Sequence, residues 1–124
     1  MAAHEGGDRV AVSIVVPVFN AARTLPELDE RIAAGVADAG LGPIEVVYVD
    51  DASVDGSAAV LADVAARRPT ARVVTMATNR GQAGAILAGI AASSGEVIVT
   101  LDDDGKLARI EEYLDTAQTA PLRG

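Results

Sequence analysis

The chain has 124 residues, half of them hydrophobic, with no cysteine, one histidine and a formal net charge of -8. That length suits one domain or part of one, and the lack of cysteine excludes a disulfide framework and a zinc–thiolate site. The acidic balance argues against a nucleic-acid backbone or an anionic membrane surface as partner. In chain order, residues 1–9 read as a disordered lead, polar and mixed in charge, without the apolar core of a secretory signal. Val10 to Val18 is a continuous apolar strand broken by Pro17 near its end; Val-rich, two-sided runs of this kind read as buried parallel strands. Asn20 to Thr24 is a turn. Leu25, Leu28, Ile32 and Val36 have helical spacing, and Gly40-Leu41-Gly42-Pro43 stops that helix. A second strand covers Ile44 to Val49, and a polar turn leads to a helix from Ser57 to Arg67 that Pro69 ends. A third strand covers Ala71 to Ala77. Asn79 to Gln82 turns into a helix over Ala83 to Ala92, closed by Ser93-Ser94-Gly95. A fourth strand covers Glu96 to Leu101, and Ile110 to Thr119 is a last helix.

The alternation βαβαβαβα predicts an α/β fold: a mostly parallel sheet of about four strands with helices on both faces. Ligands of such sheets bind beyond the carboxyl ends of the strands, where all the acidic and Gly-containing turns of this chain fall. No apolar run approaches the roughly 18 or more residues of a membrane span. The expected location is cytoplasmic, with any membrane association arriving through a partner.

Three turns carry chemistry. Val99-Thr100-Leu101-Asp102-Asp103-Asp104 ends an apolar strand in an Asp-x-Asp pair, a donor set for a hard divalent cation that takes carboxylates and substrate phosphates as ligands. A calcium EF-hand loop is the rival reading of the same run, with Asp102, Asp104 and Glu111 as ligands around Gly105. A strand rather than a helix precedes it, and Thr100 is a poor first ligand. Asp50-Asp51 ends the second strand; adjacent carboxylates there repel each other unless something binds nearby, whereas Asp55 and Ser57 read as caps of the next helix. Asn79-Arg80-Gly81-Gln82-Ala83-Gly84 opens a helix whose N–H groups favour phosphate, with Arg80 adding a cation; Walker and dinucleotide-fold fingerprints are absent. His4 lies in the lead and reads as solvent-exposed.

Taken together, Val12 to Asn20, Val49 to Ser57, Asn79 to Ala85 and Leu101 to Asp104 resemble, in order and spacing, the nucleotide-binding half of the family 2 inverting glycosyltransferases of GT-A fold. The Asn-x-Gly-Gln helix is most similar to the polyprenyl-phosphate sugar transferases of the dolichyl-phosphate mannose synthase type. The resemblance implies a Rossmann-like GT-A half domain over residues 10–104, with 105–124 a divergent helix or tail. It implies a UDP- or GDP-sugar as donor, Mg²⁺ or Mn²⁺ as cofactor and a polyprenyl phosphate as acceptor. Pro17 and Phe19 would line the base pocket, and Asp51 would hydrogen-bond the base with Asp50 beside it. Asn20 and Arg80 complete the expected nucleotide-binding set. Asp102 and Asp104 would be the Asp-x-Asp pair, Asp102 also near the ribose or sugar, and both at the metal. The chain departs from the family at Ala21, where Glu is usual, and at Gly105-Lys106-Leu107-Ala108-Arg109, where the family continues Leu-Gln-x-Pro-Pro-Glu. The acceptor half is missing, so the expectation is donor binding without transfer by this chain alone, in a homo-oligomer or with a partner chain. The rival readings are a non-catalytic nucleotide-binding or regulatory module and a receiver-type phospho-acceptor domain. The latter would need its acidic pair after the first strand.

Overall fold

The four Val-rich runs become four strands of one parallel sheet. The computed structural model describes residues 10–40 and 43–101. Its elements are β1 (Val12–Val18), α1 (Leu25–Ala39), β2 (Ile44–Asp50), α2 (Ser57–Arg67), β3 (Ala71–Thr75), α3 (Gly81–Ala92) and β4 (Val97–Thr100). The strand order is β3-β2-β1-β4, and every pairing is parallel, with β1 matched to β2 from Val12↔Ile44 to Val18↔Asp50. The chain steps outward from β1 to β3, then returns past β1 to lay down β4. Right-handed crossovers put helices on opposite faces when the direction of travel reverses. Accordingly α1 and α2 cover Val16, Val18, Val46 and Tyr48, and α3 covers Val15, Val47 and Val49 on the other face. The sheet therefore has a switch point between β1 and β4, where sheets of this kind bind ligands.

Alternation along each strand assigns every side chain to one layer or the other. On the α1 side Leu25, Leu28 and Ile32 are buried at helical spacing, Pro26 sits in the first turn, and Gly40 ends the helix at φ 62°. Tyr48 is fully buried, and its hydroxyl donates to Asp29 at 2.7 Å. Arg68 pairs with the other oxygen of that carboxylate. Burial, then the Asp29 carboxylate, pushes the Tyr48 hydroxyl far above its ordinary pKa. On the α3 side Gly89 lets the helix sit close: a Cβ there would overlap Val15 Cγ1 and stand 2.9 Å from Val49 Cγ2.

Element boundaries differ from the sequence expectation in ways that have physical causes. β1 starts at Val12 rather than Val10 and continues through Pro17 instead of breaking there. Leu101 N–H donates to Val15 O and Asp51 N–H donates to Val18 O. Backbone groups alternate sides along a strand, so the N–H that Pro17 lacks would face β4, where the paired residues end at Val15↔Thr100. No described ladder bond is lost, as a proline in a sheet requires. β2 gains Asp50. β3 ends at Thr75, two residues early, with Met76 N–H donating to Asp50 O as the last link. β4 covers Val97 to Thr100 rather than Glu96 to Leu101. α3 begins at Gly81, two residues early, because the carboxylate of Asp51, the residue after β2, meets its first N–H groups. The expected helix at Ile110–Thr119, the expected lead at residues 1–9, and Asp102, Asp103 and Asp104 lie outside the described residues.

Candidate functional site

Beyond the carboxyl ends of β1 and β2, three turns are tied to one another by hydrogen bonds. Asn20 adopts a left-handed conformation at φ 51°, tolerable for Asn. Its Oδ1 accepts from Val54 N–H at 2.9 Å, and its own N–H donates to Ser53 Oγ at 2.9 Å. Ala21 N–H donates to Ser57 Oγ at 2.9 Å, and Ala22 N–H donates to Asp55 Oδ2 at 3.2 Å. Asp55 also accepts from the Ser57 hydroxyl and N–H at 2.6 and 2.8 Å. The Ser57 hydroxyl bond foremost, with the backbone N–H bonds, holds the Asp55 carboxyl below its ordinary pKa. Asp55 accepts from the first N–H of α2 and also reaches the β1–α1 turn, whereas the Ser57 hydroxyl bonds to Asp55 and Ala21 and caps nothing; the N-cap position is Gly56, with no side-chain cap bond.

The third turn is fixed by Asp51. Its Oδ1 accepts from Arg80 N–H and its Oδ2 from Gly81 N–H, each at 2.8 Å. Asn79 Nδ2 donates to Asp51 O at 3.1 Å. One buried carboxylate therefore receives the first free N–H groups of α3, the arrangement that best satisfies a helix N-terminus. Gly81 accommodates the bend at φ 83°. Asp50 faces the other layer, buried, with Oδ1 accepting from Ser53 N–H at 3.0 Å. Each carboxylate of the pair has its own protein partner, so their adjacency needs no bound ligand to relieve it; that premise of the sequence reading is corrected.

These turns enclose a cleft of about 260 Å³ lined by Pro17, Val18, Phe19, Asp51, Asn79, Gly81, Gln82 and Ala85. The structure brings together Pro17, Phe19 and Asp51 from the expected nucleotide set. Asp50 lies below the cleft and Asn20 spends its side chain on Val54, so neither lines it. Arg80 contributes its N–H to Asp51, and its side chain is exposed and packs along Gly84, where a Cβ would stand 2.7 Å from Arg80 Cβ. Asn79 and Gln82 line the cleft without having been assigned there; their places in a turn and a first helical turn that face β2 were the available signal. Asp102 and Asp104, the expected metal ligands, lie outside the described residues. No group of three or more metal-ligating side chains occurs among the described residues.

Besides the small apolar side chains of Val18 and Ala85, the cleft presents an aromatic ring, a proline, a carboxylate and two carboxamides. That set suits a flat heterocycle with hydrogen-bonding edges, held on apolar walls with few polar groups to orient it. The chain at Leu101 leaves the sheet on the same edge, one strand from Phe19.

Residues 13–121 match the model of the glycosyl transferase family 2. The chain is 44% identical over 95 residues to the undecaprenyl-phosphate 4-deoxy-4-formamido-L-arabinose transferase of Enterobacter sp. (strain 638), covering 75% of this chain and 28% of that protein. It is 45% identical over 95 residues to the transferase of the same name from Pseudomonas aeruginosa (strain LESB58), covering 75% and 27%. The chain thus spans under a third of the length of these relatives. Among solved structures it resembles the mannosyltransferase PcManGT from Pyrobaculum calidifontis in complex with GDP-Man and Mn²⁺. The TM-score is 0.61 at 28% identity, over 76% of this chain and 27% of that one. The fold of Staphylococcus aureus TarS 1–349 is shared at TM-score 0.64 and 22% identity, over 88% and 32%. Sheet order, switch-point cleft and sequence agree, and the chain belongs to glycosyl transferase family 2, with the Rossmann-like GT-A fold of its structural neighbours.

Proposed function

We propose that this domain binds a nucleoside-diphosphate sugar in the switch-point cleft, with Mg²⁺ or Mn²⁺, and serves transfer of the sugar to a polyprenyl phosphate. The observation that carries the reading is the Asp51 clamp. It joins the end of β2 to the start of α3 and so builds a cleft walled by Pro17 and Phe19 at the sheet's switch point. A solved neighbour holds GDP-Man and Mn²⁺, and the relatives' names specify undecaprenyl phosphate.

In this reading Pro17 and Phe19 hold the base between apolar surfaces. Asp51 keeps one lone pair on each oxygen for a base N–H. Asp50 and Asn20 act one step back, ordering the β2–α2 turn. Arg80 adds positive charge beside the cleft. Asp102 and Asp104 supply hard oxygen donors directly after Leu101, which suits Mg²⁺ or Mn²⁺. The bound metal would offset negative charge that gathers on the leaving nucleoside diphosphate. The protein's own contribution is a preformed geometry: the turns are already cross-bonded, so little ordering is left for the ligand to impose.

The same reading assigns association with other chains. The family's remaining length would be supplied in cis or by a partner, and membrane association would come through that part. Among the described residues no helix is long and apolar enough to cross a membrane.

Calorimetry with UDP, GDP and UDP-glucose, with and without Mn²⁺, tests the proposal. Metal-dependent binding is expected, with the metal dependence lost in Asp102→Asn and Asp104→Asn. Absence of heat for every nucleotide at millimolar concentration overturns it.

A further inference from the structure

Away from the cleft, an open apolar groove of about 340 Å³ lies between α1 and the β1–β4 side of the sheet. It follows α1 from Leu28, near the start of the helix, to Ala39 at its end, with Leu101 on the opposite wall. On this face α1 and α2 cover β1, β2 and β3, whereas Val97 at the start of β4 is 45% exposed. Arg31 is the one charged residue on the groove wall among the described residues, and it makes no ion pair with any of them. Gly35, on the same wall, faces free space: a Cβ there meets nothing within 4 Å.

We propose that the segment Ile110–Thr119 of this same chain seats in the groove as a helix beside α1 and covers the open side of β4. Its route is short. Leu101, the last described residue, is itself part of the groove wall, where β4 leaves the sheet. Residues 102–109 can span up to about 3.3 Å each, enough to turn back over the strand end. As a helix, Ile110–Thr119 is about 15 Å long at a rise of about 1.5 Å per residue, and α1 from Leu28 to Ala39 runs about 16 Å at the same rise. Ile110, Tyr113, Leu114 and Ala117 fall on one face of that helix, at the spacing of an apolar stripe. Glu111 and Asp115, one turn apart, flank the stripe, and the segment holds no Lys or Arg, so its charge complements Arg31. A second copy seated groove to groove would instead set Arg31 against its own equivalent, and like charges repel. The proposal stands apart from what the cleft binds, and it leaves α3 and the outer strand edges uncovered.

Because the chain has no cysteine, a pair of introduced thiols reports on one contact alone. Gly35→Cys with Ala117→Cys puts one thiol on the groove wall and one on the apolar stripe. Gly35→Cys with Glu112→Cys moves the second thiol to the opposite face of the helix. Both pairs are oxidised in dilute solutions of the whole chain and read by non-reducing electrophoresis and mass spectrometry. The first pair should close within one chain about tenfold faster than the second, since a disulfide needs its Cα atoms within about 7 Å. Leu114→Asp, in the cysteine-free chain, should lower the unfolding temperature by about 4 °C or more, as loss of a buried apolar contact does in a domain of this size. Equal rates for the two pairs, or no closure of the first, overturn the proposal. Cross-linked dimers from the first pair in place of closed monomers give the groove to a second copy and also overturn it, as does an unfolding temperature that Leu114→Asp leaves unchanged.

Discussion

Phe19, the only phenylalanine of the chain, is 44% exposed at the mouth of the cleft. A ring so placed gains most by stacking on a base, and such stacking is worth about 1–3 kcal/mol. Phe19→Ala should therefore weaken nucleotide binding about tenfold or more with little change in unfolding midpoint; a variant that binds like the wild type would remove Phe19 from the site. Gly89 is the opposite case, buried where Val15 and Val49 leave no room for a methyl group. Gly89→Ala should cost about 1–3 kcal/mol in chemical denaturation, as overpacking does, without selective loss of ligand. At this scale the place of Asp50 and Asp51 at the end of a strand was readable, because the apolar run stops there. What they touch was not. The partners of Asp51 lie at Arg80 and Gly81, on the turn after β3, and no local spacing rule joins residues 51 and 80.

The element scale shows the same division. Helices α1 and α2 follow from apolar spacing and Pro/Gly punctuation, and their extents match the sequence reading closely. The ends of β3, α3 and β4 do not, since tertiary hydrogen bonds set them. β4 is held at its start by a polar latch on the α3 face. The Ser13 hydroxyl donates to Glu45 Oε2 at 2.6 Å, Ser94 N–H donates to the same oxygen at 2.7 Å, and Gly95 N–H donates to Ser13 Oγ at 2.8 Å. Arg72 reaches Glu45 Oε1 at 3.4 Å and donates to Ala92 O at 2.8 Å. Burial by itself would raise the Glu45 carboxyl, but the Ser13, Ser94 and Arg72 bonds outweigh it and hold the carboxyl below its ordinary value of 4.5. A depressed carboxyl stabilises the fold above its unfolded pKa, and that contribution is lost as pH falls through the folded value. Wild type and Glu45→Gln should therefore differ most near neutrality and converge as pH falls below 4.5. Urea unfolding across pH checks this; a gap that stays constant with pH would show that the charge of Glu45 is not what holds the latch.

At the scale of the whole molecule, two apolar surfaces lie uncovered among the described residues. One is a groove of about 340 Å³ between α1 and the β1–β4 side of the sheet, walled by Ile14, Leu28, Ile32, Val36, Val99 and Leu101. The other is α3, which has no charged residue from Gly81 to Ala92 and leaves Leu87 65% exposed. Among the described residues β3 and β4 are also open sheet edges. Edges and apolar patches of this kind pair with other chains, so light scattering should find dimers or larger assemblies at high concentration despite the charge of -8; a clean monomer would count against it. The strand order has a further consequence, for the sequence of events in folding. β1, β2 and β3 pair between neighbours along the chain, whereas β4 joins β1 across the whole domain, and its latch spans 82 positions from Ser13 to Gly95. Long loops close slowly, which makes β4 the last strand to dock. Amide exchange should release β4 before β2, because the strand added across the greatest length of chain is also the one that leaves most readily.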